Sequence, residues 1–209
     1  MENELLNEIQ ACGAIVEGHF IGTSGRHLST YLAKDAVMPH TALVSKICKE
    51  FAMRVLALSP TVVVGPTTCG IILSQWTAHH LSVLTGTEVC AIFTDEENDT
   101  QFLKRKYDQI VRGARVVIVE DVVNTGKSIG EVVAEVRRVG GEVVQAVSIF
   151  NRGESDAQVS SILGVPYQSL IQIPLESYAE NEVPEWLTAI PVSVEYGHGS
   201  KYLDGRKDN

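Results

Sequence analysis

The residues best suited to chemistry lie in one stretch, 117–129, in which two neighbouring acids are followed by small residues and a lysine. Its last part, Gly126-Lys127-Ser128, matches the end of the Walker A loop, whose first glycine must precede the second by about five positions. Asp121 stands where that first glycine is required. A carboxylate there lacks the conformational freedom of glycine and directs negative charge at the phosphates. The sequence therefore argues against a nucleoside triphosphatase.

The rest of the stretch still suits a single phosphate group. After a predicted strand over 115–120, a short loop of small polar residues leads into a predicted helix that begins at Lys127. Free N–H groups at a helix N-terminus attract anions, small residues allow backbone N–H groups to converge, and Lys127 adds a positive charge. Ser128 and Glu131 have the spacing of a capping box, so Ser128 is a candidate either for capping the helix or for binding the phosphate.

Glu120 and Asp121 form the other half of the predicted site. Two adjacent carboxylates at the end of a buried strand are unfavourable unless they accept hydrogen bonds. A ribose ring offers two neighbouring hydroxyl donors, so we interpret the acids as ribose ligands and the loop after them as the site of the 5-phosphate. The alternative is an ordinary strand–turn–helix connection with a capped helix.

The elements around this stretch alternate between strands and helices. Strands are predicted over 61–65, 88–94, 115–120, 142–150 and 166–173, and helices over 2–12, 40–58, 70–85 and 127–138. Residues 17–31 are predicted to form a hairpin or loop, and residues 95–114 a hairpin or a mobile loop. Such alternation predicts an α/β fold with a mostly parallel, twisted sheet and helices on both faces. Ligands of such sheets bind at the carboxyl ends of the strands, where the acids lie.

The composition limits the classes of partner. The chain has 209 residues and a net charge of -9, so we expect one domain, 1–209, without the basic face that nucleic acid requires. No apolar run approaches the roughly 18 residues of a membrane span, and no signal peptide is present, so no membrane contact is expected. The four cysteines lack metal-ligand spacing, which favours a reducing compartment, and we expect a cytoplasmic protein.

The segment 115–153 resembles the phosphoribosyl pyrophosphate (PRPP) motif of the type I phosphoribosyltransferases. The resemblance implies their fold, in which a small hood, here about residues 1–38 and part of the C-terminal region, covers the α/β domain. It implies that the acids hold the ribose of PRPP and that the loop holds its 5-phosphate. The PRPP ligands implied in this segment are Glu120, Asp121, Val122, Val123, Asn124, Thr125, Gly126, Lys127 and Ser128.

Over about residues 5–155 the chain is most similar to the orotate phosphoribosyltransferases. Residues 17–32 resemble the hood segment of that family, 62–74 its pyrophosphate loop, and 150–153 the strand end whose arginine contacts the orotate carboxylate. The resemblance implies pyrophosphate binding by backbone N–H groups of Thr67, Thr68, Cys69 and Gly70. It implies orotate binding by Ser24, Arg26, Asn124 and Arg152.

The implied reaction is displacement of pyrophosphate from C1 of PRPP by a nitrogen of orotate, which gives orotidine 5'-monophosphate in pyrimidine biosynthesis. The resemblance also implies a homodimer and Mg2+ that is carried by PRPP, without direct protein ligands. Lys104 and Arg105 are the implied catalytic residues, because they can neutralise the departing pyrophosphate.

The largest departure from the family pattern lies in residues 93–107. Glu96 stands where the family has a lysine that reaches the pyrophosphate, and Asp95 and Glu97 flank it. Lys104, Arg105 and Lys106 follow closely enough to fold back over the site as a hairpin. The alternative is a solvated charged loop without a role in binding.

Two other functions stay open. Lys127 is closer to the pattern of purine phosphoribosyltransferases, whereas Asn124 stands where those enzymes have an aspartate proposed as a base, and Asn124 cannot accept a proton. The acidic run 95–97 favours a non-catalytic regulator that binds PRPP on the same fold. The orotate enzyme is preferred because the N-terminal segment and Asn124 both agree with it.

Overall fold

Short runs rich in Val and Ile form the strands of one central sheet, and longer runs with helical periodicity form the helices that cover it. The computed structural model describes residues 2–22, 24–98, 100–173 and 176–207; residues 1, 23, 99, 174, 175, 208 and 209 lie outside the described part. In chain order the elements are α1 (Glu2–Ala11), β1 (Ile15–Ile21), β2 (His27–Leu32), α2 (Thr41–Val55), β3 (Val62–Pro66), α3 (Cys69–Thr85), β4 (Cys90–Glu97), β5 (Thr100–Phe102), α4 (Tyr107–Val111), β6 (Arg115–Val123), α5 (Lys127–Arg138), β7 (Glu142–Asn151), α6 (Asp156–Leu163), β8 (Tyr167–Gln172), β9 (Ser177–Tyr178), α7 (Glu185–Thr188) and α8 (Gly199–Lys207).

The central sheet has the strand order β5-β4-β3-β6-β7-β8. All neighbouring pairs in it are parallel except β4 and β5, which form an antiparallel hairpin at one edge. The predicted α/β fold with a mostly parallel sheet is therefore confirmed. The register pairs Pro66 with Thr94 and Val123 with Asn151, so the carboxyl ends of four strands lie along one edge.

Both faces of the inner strands β3, β6 and β7 are buried, which explains why these strands are mostly apolar. On one face, alternate strand residues such as Val63 and Val117 pack against Phe51 of α2 and Leu73 of α3. On the other face, the intervening residues pack against α5 and α6, represented by Ile129. Each fully buried side chain of this size contributes about 1.5–3 kcal/mol relative to exposure. The two apolar layers hold the polar ends of the strands in fixed positions.

A second, smaller sheet, here called the N-terminal sheet, consists of β1, β2 and β9 in antiparallel pairing. The C-terminal segment packs against it, because the Ser193 N–H donates to the His19 carbonyl at 2.7 Å and the His198 N–H donates to the Ile21 carbonyl at 2.9 Å. The approach is so close that a Cβ on Gly197 would lie 2.6 Å from the Ile21 carbonyl oxygen. Segments from both ends of the chain therefore form one unit beside the central sheet.

Some predicted boundaries differ from the structure. The region 95–114, predicted as a hairpin or a mobile loop, holds the rest of the β4–β5 hairpin and the short helix α4. Helices α6 and α8 were not predicted, because α6 is only two turns long and α8 is polar on most of its surface. None of the described helices combines the length and the apolar character that crossing a membrane requires.

Candidate active site

The acid pair lies at the carboxyl end of β6, where the strand runs three residues farther than the sequence predicts. Glu120 and Asp121 are 8% and 3% exposed. Glu120 Oε1 accepts the Asp121 N–H at 3.0 Å, and Asp121 Oδ1 accepts the Val122 N–H at 2.6 Å. The remaining Asp121 oxygen, Oδ2, lies 2.8 Å from Nζ of Lys34. Each of the two buried carboxylates thus accepts one backbone N–H, and Asp121 also contacts the cation Lys34.

The electrostatics of this pair follow from burial. Removal from water raises the pKa of Glu120 well above its usual value, and the negative charge of Asp121 raises it further. Burial works to lower the pKa of Lys34, but the Asp121 carboxylate more than compensates, so its pKa is raised. Lys34 is therefore a cation at physiological pH, directly beside the predicted ribose ligands. The sequence interpretation missed Lys34.

The loop after the acids leads into α5 as predicted, with Asn124, Thr125, Lys127 and Ser128 exposed at the surface. The predicted capping role of Ser128 is wrong. Gly126 is the N-cap residue, with φ of 79°, and no side chain caps the helix. Ser128 is the second helical residue, and the Lys127 N–H donates to the Thr125 hydroxyl at 3.4 Å within the loop. A helix N-terminus preceded by a loop of small polar residues is an arrangement that suits an anion.

The end of β7 fixes this loop from the other side. The Arg152 N–H donates to the Val123 carbonyl at 2.9 Å. A Cβ on Gly153 would lie 1.9 Å from the carbonyl oxygen of Asn124, so only glycine permits this approach. The segment 150–153 and the loop therefore form one surface.

The predicted pyrophosphate loop connects β3 to α3. Its turn is so tight that a Cβ on Gly65 would lie 2.0 Å from the Gly70 carbonyl oxygen. The peptide bond between Thr67 and Thr68 is cis. The Thr67 N–H donates to the Thr94 carbonyl at 3.2 Å, so that N–H joins the loop to β4 in this structure.

Cys69 is a buried residue of this loop, and its thiol lies 3.6 Å from Oδ1 of Asp35. Burial and the charge of Asp121 raise the pKa of the Cys69 thiol to about 12. The thiol is therefore protonated at physiological pH, which agrees with a structural role and not with that of a nucleophile.

A cavity of about 640 Å³ opens between the N-terminal sheet and the carboxyl ends of β6 and β7. All four residues predicted to bind the base line it: Ser24, Arg26, Asn124 and Arg152. Lys34, Val122 and Tyr196 line it as well. Arg26 donates through Nε to the Ser177 hydroxyl at 2.9 Å and through Nη2 to the Ser177 carbonyl at 2.6 Å, so β9 fixes its direction.

The hairpin β4–β5 brings the predicted catalytic residues back onto the acidic run. Lys104 forms an ion pair with Glu97, and Arg105 forms one with Asp95 while its guanidinium lies 4.7 Å from the centre of the Phe93 ring. Neither Lys104 nor Arg105 is among the described residues that line the cavity. The structure thus brings the acid pair, the loops and the base residues together, and places the two basic residues on the neighbouring hairpin.

Comparison with known proteins agrees with this arrangement. Residues 36–167 match the model of the phosphoribosyl transferase domain. The orotate phosphoribosyltransferase of Erythrobacter litoralis is 37% identical over 195 residues, which cover 92% of this chain and 95% of that protein. Orotate phosphoribosyltransferase 2 of Mesorhizobium japonicum is also 37% identical, over 90% of this chain and 94% of that protein.

The chain belongs to the orotate phosphoribosyltransferase family. The resemblance stated from the sequence is therefore confirmed, and the protein is a transferase enzyme. In structure it is similar to the orotate phosphoribosyltransferase of Mycobacterium tuberculosis in complex with Fe(III) dicitrate, with a TM-score of 0.65, 23% identity, and coverage of 82% of this chain and 95% of that one. At that identity the likeness shows the shared phosphoribosyltransferase fold.

Proposed function

We propose that the protein transfers the phosphoribosyl group of PRPP to orotate and releases pyrophosphate. One observation carries the proposal: Ser24, Arg26, Asn124 and Arg152, distant in sequence, line one cavity together with Lys34, which contacts the acid pair. A base in that cavity lies next to a ribose held by the acids. The names of the relatives in the same family support orotate as the base.

Different residues along this edge of the sheet bind different parts of PRPP and orotate. Glu120 and Asp121 accept hydrogen bonds from the ribose hydroxyls, with their carboxylates already directed by backbone donors. Residues 122–128 bind the 5-phosphate through the N-terminus of α5. Thr68, Cys69 and Gly70 of the tight loop bind pyrophosphate. Arg152 and Arg26 bind the orotate carboxylate, for which the planar guanidinium suits bidentate contact.

The reaction breaks the bond between C1 of the ribose and the pyrophosphate oxygen, and it forms a bond between C1 and a nitrogen of orotate. Pyrophosphate leaves with the bonding electron pair, and the proton of the attacking nitrogen passes to solvent. Positive charge develops on the ribose, so the buried acids stabilise it while Lys104 and Arg105 neutralise the pyrophosphate. Orotate is already anionic, so the site needs no strong base.

Mg2+ belongs to this proposal as an ion carried by PRPP. Mg2+ is usually held by one or two carboxylates together with substrate phosphates and water. Glu120 and Asp121 offer that type of donor at the ribose end, and in the described part of the chain no three acidic, histidine or cysteine side chains form a protein-only metal site. The ion would supply charge neutralisation of the pyrophosphate.

A regulator without catalysis is the second candidate, and the acidic run 95–97 is the feature that favours it. Two of its three acids are paired with Lys104 and Arg105, and Glu96 accepts a hydrogen bond from Gln101 at 3.2 Å. These contacts reduce the negative charge that the run presents to pyrophosphate, which supports the enzyme. A purine transferase is less favoured because Asn124, which lines the cavity, cannot act as a base.

We also propose a cytoplasmic homodimer. Helix α3 carries exposed apolar side chains at helical spacing, Ile72 and Val83, on the same side as the partly buried Trp76. Such a stripe is typical of a surface that a second copy covers. The four cysteines are unpaired, which agrees with a reducing compartment.

A steady-state assay with Mg2+, PRPP and a panel of bases tests the proposal. Turnover with orotate and with no purine is expected. Binding of PRPP in a calorimeter without turnover on any base would favour the regulator, and turnover with a purine would assign the site to another base. Light scattering on the same preparation measures the oligomeric state, and a monomer at assay concentration would contradict the dimer.

A further inference from the structure

The hairpin β4–β5 carries Lys104 and Arg105 directly after its second strand. Its two strands pair only from Asp95↔Phe102 to Glu97↔Thr100. A ribbon of this length is marginally stable by itself in water. It therefore depends on contacts with the rest of the protein to hold one position.

The first of these contacts involves Thr94, which also belongs to a buried polar pair inside the hairpin. Gln101 is 2% exposed, and its side-chain oxygen accepts a hydrogen bond from the Thr94 hydroxyl at 2.6 Å. The carbonyl of the same Thr94 accepts the N–H of Thr67 in the pyrophosphate loop. The base of the hairpin is thus joined directly to that loop.

The second contact lies at the other end of β5. Glu135, a buried residue of α5, accepts the backbone N–H of Leu103 at 2.8 Å. It also accepts two hydrogen bonds from the guanidinium of Arg138, at 2.6 and 2.9 Å. Burial works to raise the pKa of Glu135, but the bonds from Arg138 and Leu103 lower it below its usual value. Glu135 is therefore an ionised acceptor, and charged acceptors make the stronger hydrogen bonds.

Leu103 is the residue immediately before the two basic residues. Arg105 and Lys106 adopt positive φ of 58° and 62°, which forms a turn between β5 and the start of α4. Lys104 and Arg105 then lie on Glu97 and Asp95, the second of which follows Thr94. The bond from Glu135 to Leu103 fixes the point from which this turn starts.

We propose that Glu135 is a positioning residue for pyrophosphate: by holding the Leu103 backbone it keeps Lys104 and Arg105 on the part of β4 that contacts the pyrophosphate loop. The inference rests on the proposed function in one respect, the assignment of pyrophosphate to that loop. Glu135 lies on the helix whose first turn faces the 5-phosphate. Helix α5 would then act on both anionic ends of PRPP. Its N-terminus would bind the 5-phosphate, and Glu135, two turns later, would position the residues that contact the pyrophosphate.

Calorimetry on the full-length protein tests this with two separate ligands, inorganic pyrophosphate with Mg2+ and ribose 5-phosphate. The variant is Glu135→Leu, which keeps the side-chain volume and removes the acceptor. The Kd for pyrophosphate is expected to rise about tenfold, as for loss of a charge-assisted hydrogen bond that positions the ligand groups, while the Kd for ribose 5-phosphate changes less than about twofold. Amide exchange at Leu103 is expected to accelerate.

Two variants define the specificity of this effect. Glu135→Gln keeps an oxygen that can accept the Leu103 N–H, so it is expected to restore most of the pyrophosphate affinity. Glu142→Leu makes the same change at an exposed acid paired with Arg115, and should leave both affinities unaltered. If Glu135→Leu does not fold, Glu135→Ala, which admits water to the Leu103 N–H, is measured in the same way.

Wild-type pyrophosphate affinity in Glu135→Leu would overturn the proposal, and so would an equal loss for both ligands, since that shows only a structural role. A wild-type protein that binds no pyrophosphate overturns it together with the assignment of the loop. Failure of the wild type to turn over orotate contradicts the proposed function alone, because the comparison of the two ligands does not involve a base.

Discussion

Two groups of acids lie at the carboxyl ends of the central sheet, and their surroundings are opposite. Glu120 and Asp121 on β6 are buried, each accepts a backbone N–H, and Asp121 is paired with Lys34. Asp95 and Glu97 on β4 are in contact with water, and each has its own basic partner from the same hairpin.

The pKa shifts follow these surroundings. Burial and a like-charged neighbour raise the pKa of Glu120, whereas the hydrogen bond from Arg105 lowers the pKa of Asp95. Negative charge on the first pair is therefore unfavourable in the free protein, and hydrogen bonds from the hydroxyl groups of a ligand would stabilise it. The second group is already neutralised and gains little from a ligand. The same residue types therefore form the proposed ribose site in one place and an exposed ion-pair network in the other.

Removing charge from the buried pair has the largest expected effect. Asp121→Asn is expected to weaken PRPP binding about 100-fold, because the buried side chain loses the charge that pairs with Lys34 and one of its two acceptor oxygens for the ribose. Calorimetry with PRPP and Mg2+ measures this. The neutral isostere at the exposed group, Asp95→Asn, serves as the matched comparison and is expected to change the Kd less than about threefold. An equal effect of the two substitutions would remove the distinction between the groups.

Removing Lys34, the cation beside the buried pair, is expected to have the second-largest effect. Lys34→Met is expected to weaken PRPP binding about tenfold, because a positive charge beside an anionic ligand is lost. It also destabilises the free protein, by no more than about 1 kcal/mol, since the Lys34 side chain is 45% exposed and water screens the pair.

The stability that Lys34 contributes should decrease at high pH. The folded-state pKa of Lys34 is raised above 10.5, so its contribution to stability is fully present below that pH and is lost as the pH rises through the folded pKa. Denaturant unfolding of wild type and Lys34→Met should therefore converge at strongly alkaline pH. A difference that persists there would show that packing of the Lys34 stem, and not its charge, is responsible.

Substitution of Glu120 is expected to have a smaller effect, and it should raise the stability of the free protein where Lys34→Met lowers it. Because the folded-state pKa of Glu120 is raised above 4.5, the folded protein binds more protons than the unfolded chain above that pH, and stability falls as the pH rises. Glu120→Gln, which resembles the protonated form, should therefore gain stability relative to wild type as the pH rises above 4.5. Urea unfolding of both proteins at a series of pH values above 4.5 measures this difference, and a difference that narrows with rising pH would contradict the raised pKa.

The sequence was sufficient for the features that depend on local pattern. The inner strands β3, β6 and β7 are runs rich in Val and Ile, and the PRPP motif has fixed spacing, so their positions were predicted within a few residues. The cavity residues Ser24, Arg26, Asn124 and Arg152 came from family resemblance, which carries long-range information that periodicity lacks.

Two of the features that were missed depend on contacts between distant segments, and a third depends on local backbone conformation. Lys34 follows an N-terminal hairpin, and nothing near it in sequence indicates that its amine meets Asp121. Glu135 was predicted only as one residue of an amphipathic helix, although its carboxylate holds Leu103 on another element. Ser128 had the spacing of a helix cap, but the positive φ of Gly126 starts the helix two residues earlier than that cap would require. Pairing across the fold decides the first two cases, and the backbone conformation of Gly126 decides the third.

The smallest expected effect concerns the exposed acids and tests the other half of the comparison. The folded-state pKa of Asp95 is lowered below 3.8, so its pair with Arg105 contributes stability above that pH and loses it as the pH falls through the folded pKa. Near neutral pH, Asp95→Asn should lower Tm by less than about 2 °C, because exposed pairs gain little over solvation. In about 1 M salt, where the Debye length is about 3 Å, the difference should shrink further, whereas the effect of Lys34→Met, on a carboxylate that is almost fully buried, should persist. If the two substitutions respond equally to salt, burial does not distinguish the ion pairs of the two acid groups.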